Sequence, residues 1–282
     1  MSLPRVAAAL AAAALWASPA RAASVVAVVS ADHGVYRQAL DGFQAAYGST
    51  VTVRLASSAE VLDADTKVVV AIGGRAAMSF FPGNVTVIYC LAPAVELEPR
   101  RSGTIRVRMV PRPENLVSQI RAAQPSVRSL AILWSQNPFQ SYVKAVTAEA
   151  ARVGLKVIST PADSDDLPRA LRLLEGRADA IWLAPDPMLV TPANFRMISG
   201  FARSAPAVFY APTAELVRDG ATAAVAVSPE DMGRAAAGAA KRALSGERPA
   251  DVFADRVETV VDPSRPEAAG LMMSTDVVKL RR

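Results

Sequence analysis

Residues 129–159, SLAILWSQNPFQSYVKAVTAEAARVGLKVIS, hold one complete strand–helix–strand unit. Ser129–Trp134 (SLAILW) is a short apolar run of the length expected for a buried strand. Asn137-Pro138 supplies a cap and a first-turn proline. Phe139, Tyr142, Val143, Val146, Ala150 and Val153 then recur at helical spacing. Gly154 stops the helix, and Leu155–Ser159 resumes the strand pattern. Two strands joined by a helix of this length pair in parallel, with the helix laid across the sheet.

The alternation continues in both directions. Upstream, Ser24–Val29, Thr50–Leu55, Lys67–Ile72, Asn84–Tyr89 and Thr104–Met109 read as strands. Val35–Tyr47 and the shorter Arg75–Phe81 read as helices. A second series opens at Pro113, with a helix over Pro113–Ala123 ahead of the unit quoted above. Downstream, Asp165 or Asp166 caps a helix carrying Leu167, Ala170, Leu171 and Leu174, and Asp179–Leu183 is a strand. Thr191-Pro192 opens another helix, and Ala207–Tyr210 and Ala221–Val227 are strands. Ser228-Pro229-Glu230-Asp231 starts a helix that buries Met232, Ala235, Ala236, Ala239, Ala243 and Leu244. Val252–Val261 is strand-like. The pattern predicts an α/β protein: two doubly wound parallel-sheet lobes with a ligand cleft between them.

Composition gives enough apolar material for a sizeable core and excludes a disordered chain. The chain has 282 residues, 51% hydrophobic and 20% charged, with a net charge of +5. Basic and acidic residues are interspersed, which gives no stripe for nucleic acid. One His and one Cys exclude a His-rich metal centre, an intrachain disulfide and any CxxC site, so no metal or cofactor is expected. Residues 1–22 (MSLPRVAAALAAAALWASPARA) have a positive start at Arg5, an apolar run too short to span a bilayer, and an Ala20-Arg21-Ala22 cleavage signal. They are expected to be a signal peptide. With no Cys after the run, the product is periplasmic and not a lipoprotein.

In an open parallel sheet, ligands bind beyond the carboxyl ends of the strands. The loops so marked are Ser30–Gly34, Gly73–Ala76, Ser135–Pro138, Pro185–Thr191 and Ala211–Thr213. Gly74 and Arg75 open a helix and suit an anion, or else form a plain tight turn with Arg75 in solvent. Asp186, between Pro185 and Pro187, either meets a ligand ammonium or hydroxyl or caps local N–H groups. Tyr36, Trp134 and Tyr210 either stack on a ligand body or pack in the core; Trp182 reads as core. His33 lacks a G-x-S-x-G partner and lines the cleft or faces solvent rather than acting as a base. Cys90 reads as a buried structural thiol. No enzyme activity is expected.

Several segments together resemble a known family. They are PSVRSLAILW at 125–134, ADAIWLAPD at 178–186, AVFYAPTAELVRDGA at 207–221, SPEDMGRAAA at 228–237 and LSGERPAD at 244–251. These resemble the periplasmic substrate-binding proteins of ABC transporters with the type I bilobal fold, including tryptophan-type binders. The resemblance implies no catalysis and a small polar or amino-acid-like ligand between the lobes. It implies contacts from loops matching Ser30, Gly74, Arg75, Ser135, Asn137, Asp186 and Thr213, to which the aromatic reading adds Tyr36 and Tyr210 as ligand-binding candidates. It also implies that the chain crosses between lobes three times, with an N-lobe of 23–110 plus 228–250 and a C-lobe of 111–227 plus 251–282. The expected partners are a membrane permease or, for a sensor of the same fold, a signalling receptor; the mature protein is expected to be a monomer. Arg75 stands where Ser or Thr is common, and Leu271–Arg282 departs from the usual ending. An exported α/β hydrolase is the remaining alternative.

Overall fold

The computed structural model describes residues 24–58, 62–93, 95–97, 102–135, 137–205, 207–249, 251–272 and 277–279. The expected signal peptide at 1–22, the side chain of Asn137 and the last three residues lie outside the described set. The first series is β1 (Val25–Val29), α1 (Gly34–Tyr47), β2 (Thr52–Leu55), β3 (Val68–Ile72), α2 (Gly74–Ala77), β4 (Thr86–Cys90) and β5 (Thr104–Val107). The second is α3 (Pro113–Ala123), β6 (Ser129–Trp134), α4 (Asn137–Arg152), β7 (Lys156–Pro161), α5 (Leu167–Leu174), β8 (Ala180–Leu183), α6 (Pro192–Ser204), β9 (Val208–Ala211), α7 (Glu215–Asp219) and β10 (Ala223–Ala226). The chain ends with α8 (Pro229–Leu244), β11 (Asp251–Val252), β12 (Glu258–Val261) and β13 (Val277–Lys279).

The strands form two sheets, ordered β11-β5-β4-β3-β1-β2 and β13-β12-β10-β9-β8-β6-β7. Among the described residues all strand pairings are parallel except β10 with β12, which run antiparallel. The strand-like tail therefore divides. Asp251–Val252 pairs with Arg106–Val107 in the first sheet, and Glu258–Val261 pairs with Ala223–Ala226 in the second. The chain passes from one sheet to the other after β5, after β10 and after β11.

Each sheet is buried on both faces. Val25, Ala27, Val29, Val68 and Val70 pack under α1 and α8, while Val26, Val28, Val69 and Ala71 pack with Ala76 and Ala77 of α2 on the other side. In the second sheet, Leu130, Ile132 and Trp182 pack with α3 and α4, and Ala131, Leu133 and Ile181 with α5 and α6. Burying each large apolar side chain stabilises by about 1.5–3 kcal/mol, so the period of two within each strand assigns its faces.

α1 and α8 meet backbone to backbone. A Cβ on Gly233 would lie 1.9 Å from the Ala39 carbonyl oxygen, and one on Gly42 would lie 2.1 Å from that of Glu230. Leu244, expected inside, is 40% exposed and is the last residue of α8, where the buried face ends at Ala243. The caps at Thr191 and Ser228 form as expected, each side chain accepting from the N–H three residues on. At α5, the acid that serves the helix start is neither Asp165 nor Asp166. Asp163 Oδ1 accepts from the N–H groups of both, at 2.9 Å.

Candidate ligand-binding site

The two sheets reverse strand order at equivalent places. The runs β2-β1-β3-β4-β5 and β7-β6-β8-β9-β10 place the first strand of each series between the second and third. α1 and α2 leave β1 and β3 toward opposite faces, as α4 and α6 do from β6 and β8. A crevice opens between such diverging connections at the carboxyl ends of the strands.

The first crevice brings Ser30, Tyr36 and the Gly73–Arg75 turn together. The Ser30 N–H donates to the Ile72 carbonyl at 2.9 Å, and its hydroxyl accepts from the Ala76 N–H at 3.0 Å. Gly73 has φ 99°, and a Cβ there would lie 2.3 Å from Ser30 Oγ and 2.6 Å from Tyr36 Cε1. Only glycine fits this close approach. Arg75 is exposed at the end of the turn and has no ion pair among the described residues. α2 has only four residues, and Ser30 occupies its Ala76 N–H, so the backbone adds little field for an anion. Arg75 is the charged side chain of this turn.

The second crevice is bridged by Asp186. Its carboxylate Oδ2 accepts from both the N–H and the hydroxyl of Ser135 at 2.8 Å, and Oδ1 accepts from the Met188 N–H at 3.0 Å. Asp186 is 0% exposed. Of the two sequence readings the structure realises the second: Asp186 caps N–H groups and fixes Ser135, and it does not project into a cleft. Trp134 Nε1 donates to Ser159 Oγ at 3.1 Å, which holds its ring at the strand end. Thr213 is half-buried in the turn between β9 and α7, and Asn137 opens α4.

Tyr210 requires a correction. It is 0% exposed inside the core under α3 and α4, and its hydroxyl donates to Gln124 Oε1 at 3.3 Å. Residue alternation decides this: in β9, Phe209 and Tyr210 face opposite layers, and both layers are covered by helices. His33 is an exposed N-cap of α1 that makes no capping hydrogen bond.

Residues 111–279, more than half of the chain, match the model for the ABC transporter substrate binding protein family. The chain belongs to that family. No curated protein matches it. The fold of this substrate-binding protein is similar to that of a Streptococcus pneumoniae ABC-domain structure in complex with L-Trp, at 17% identity and TM-score 0.57, covering 90% of this chain and 96% of the other. A ligand-free, open substrate binding protein with adhesive properties from Clostridium difficile matches at 15% identity and TM-score 0.61, covering 91% and 98%. A conserved domain protein from Vibrio cholerae matches at 15% and 0.57, covering 92% and 99%.

One cavity-lining loop escaped the sequence reading. The loop after β4 lines a narrow cavity through Cys90, Ala92 and Pro93, together with Arg108 and Met109, and Phe139 and Pro185 close it from the second lobe. Leu91, in that loop, holds φ 50°, a left-handed backbone unusual for leucine. The strand-end rule that picked the loops after β1 and β3 applies equally to β4 and could have found it. Burial pushes the Cys90 thiol up to about 12, so it stays protonated and unreactive.

Proposed function

We propose that this protein is the extracytoplasmic binding component of an ABC-type importer, closing two lobes on a small ligand and presenting it to a membrane permease. The observation that carries the reading is the pair of switch-point crevices, Ser30–Tyr36–Gly74–Arg75 in one sheet and Ser135–Asn137–Thr213 in the other, both at carboxyl strand ends. The first lobe comprises 23–110 and 228–250 together with the β11 strand; the second comprises 111–227 and the remaining tail. Export through the 1–22 signal sequence places the protein in the periplasm as a monomer.

The ligand is amino-acid-like, with a carboxylate that meets Arg75. Its amino or hydroxyl groups meet Ser135 and Thr213 rather than Asp186, whose oxygens are already occupied. The L-Trp in the pneumococcal structure makes aromatic amino acids the first ligands to test. A thermal-shift screen of amino acids, nucleobases and small acids tests this. A ligand at 100 times its dissociation constant adds about 2.7 kcal/mol to stability. Failure of all carboxylated compounds, with a clear shift from a neutral one, would replace the ligand class while leaving the cleft in place.

A further inference from the structure

A groove lined by five basic and three acidic side chains lies away from the two crevices. α8 buries Met232, Gly233, Ala236 and Ala240 on one side. Arg234, Lys241 and Arg242 share the opposite stripe, which forms one wall of an open groove of about 710 Å³. The other wall comes from the connections between lobes: Arg112 from the first, and Phe253 and Arg256 from the third.

The groove's acids are already matched. Asp231 lies 3.3 Å from Arg234, Asp251 accepts from Arg106 at 2.9 Å and Arg108 at 2.7 Å, and Asp255 lies 3.6 Å from Arg112. Lys241 donates to the Ala46 carbonyl at 2.9 Å. Arg242 and Arg256 have no acidic partner among the described residues. The Phe253 ring carries Arg112 at 5.5 Å and Arg108 at 6.0 Å from its centroid, which holds the Arg112 guanidinium at the groove.

We propose that this groove binds a small multivalent oxyanion, of the di- or triphosphate class, gripped by Arg242 and Arg256 and flanked by Arg112. Guanidinium forks match paired oxygens of such anions, and two unpaired forks on facing walls favour an anion with two charged ends over a single carboxylate. One wall is a first-lobe helix and the other is chain that leads into the second lobe, so the anion bridges the hinge. A concave groove fits a small soluble anion; a phospholipid headgroup offers the same chemistry from a flat surface.

Calorimetry with inorganic phosphate, pyrophosphate and tripolyphosphate at constant ionic strength tests the site. Saturable binding is expected, tightening along that series and weakened at least tenfold in Arg242→Gln/Arg256→Gln. Both groove positions are exposed, and an unaltered melting temperature without anion confirms that the double variant folds. Absence of saturable binding by all three anions, or equal affinity in the double variant, overturns the proposal. Flotation with phosphatidylglycerol vesicles forms the second arm. Vesicle binding that pyrophosphate does not displace assigns the charge to a membrane surface and also overturns it.

Discussion

Asp186 and Ser135 are joined across the second crevice by two hydrogen bonds of 2.8 Å, both ending on the same carboxylate oxygen. A buried acid thereby fixes the first residue after β6 from the loop after β8. In the first crevice Ser30 does the corresponding work, its hydroxyl holding the Ala76 N–H of the turn after β3. Each lobe thus ties its two diverging loops together with one short polar side chain, which keeps the cleft-facing groups in place before a ligand arrives.

Asp186→Ala is expected to lower stability, because it strands the N–H groups of Ser135 and Met188 at part-buried positions. Each stranded buried donor costs about 1–3 kcal/mol. Urea unfolding of the ligand-free protein measures this. A variant of unchanged stability that loses only ligand affinity would mean that Asp186 is a ligand contact after all.

Gly233→Ala is expected to disrupt the first lobe. Its Cβ would fall 1.9 Å from the backbone oxygen of Ala39, and helix backbones cannot yield as a side-chain tip can. Overpacking of this kind costs about 1–3 kcal/mol. Gly238→Ala, on the open side of the same helix with nothing within 4 Å, is expected to stabilise by about 0.5–1 kcal/mol. Opposite signs in chemical denaturation confirm the contact; equal effects refute it.

Arg75→Ala is expected to leave the melting temperature unchanged, since the side chain is exposed and unpaired among the described residues. Affinity for a carboxylated ligand is expected to fall roughly tenfold, which corresponds to about 1.4 kcal/mol. Titration calorimetry of both proteins with the ligand found in the screen decides it.

Two carboxylates give stability opposite pH dependences. Burial tends to raise Asp251, but the hydrogen bond from Arg106 and the charges of Arg108 and Arg106 outweigh it and hold the group below its usual 3.8. Its stabilisation is therefore full above that pH and lost as pH falls through the lowered value. Glu258 is raised above 4.5 by burial, then by Glu215 and Asp231. Its charged form opposes folding near neutrality, and the cost is relieved as pH falls through the raised value. At pH 7, Asp251→Asn is expected to destabilise and Glu258→Gln to stabilise; unfolding curves from pH 3 to 7 that match wild type in either variant contradict the assignment.

Much of the fold was legible in the sequence, because the signals are local. β6 and α3 fall on the residues that periodicity marked, since apolar spacing and a first-position proline depend only on neighbouring residues. The strand-end rule likewise located Ser30, Gly73, Ser135 and Asp186 in loops. What local pattern could not supply was direction and pairing. Whether Tyr210 faced a ligand or the core depended on which helices cover each side of β9, and those helices come from distant segments. Whether Asp186 met a ligand depended on Ser135, 51 residues away, and that contact exists only once β6 and β8 lie side by side. The split of the tail between β11 and β12 was decided by free strand edges on two different sheets. Backbone periodicity is written along the chain; the partner that satisfies a buried carboxylate or hydroxyl is chosen by the packing of the sheets.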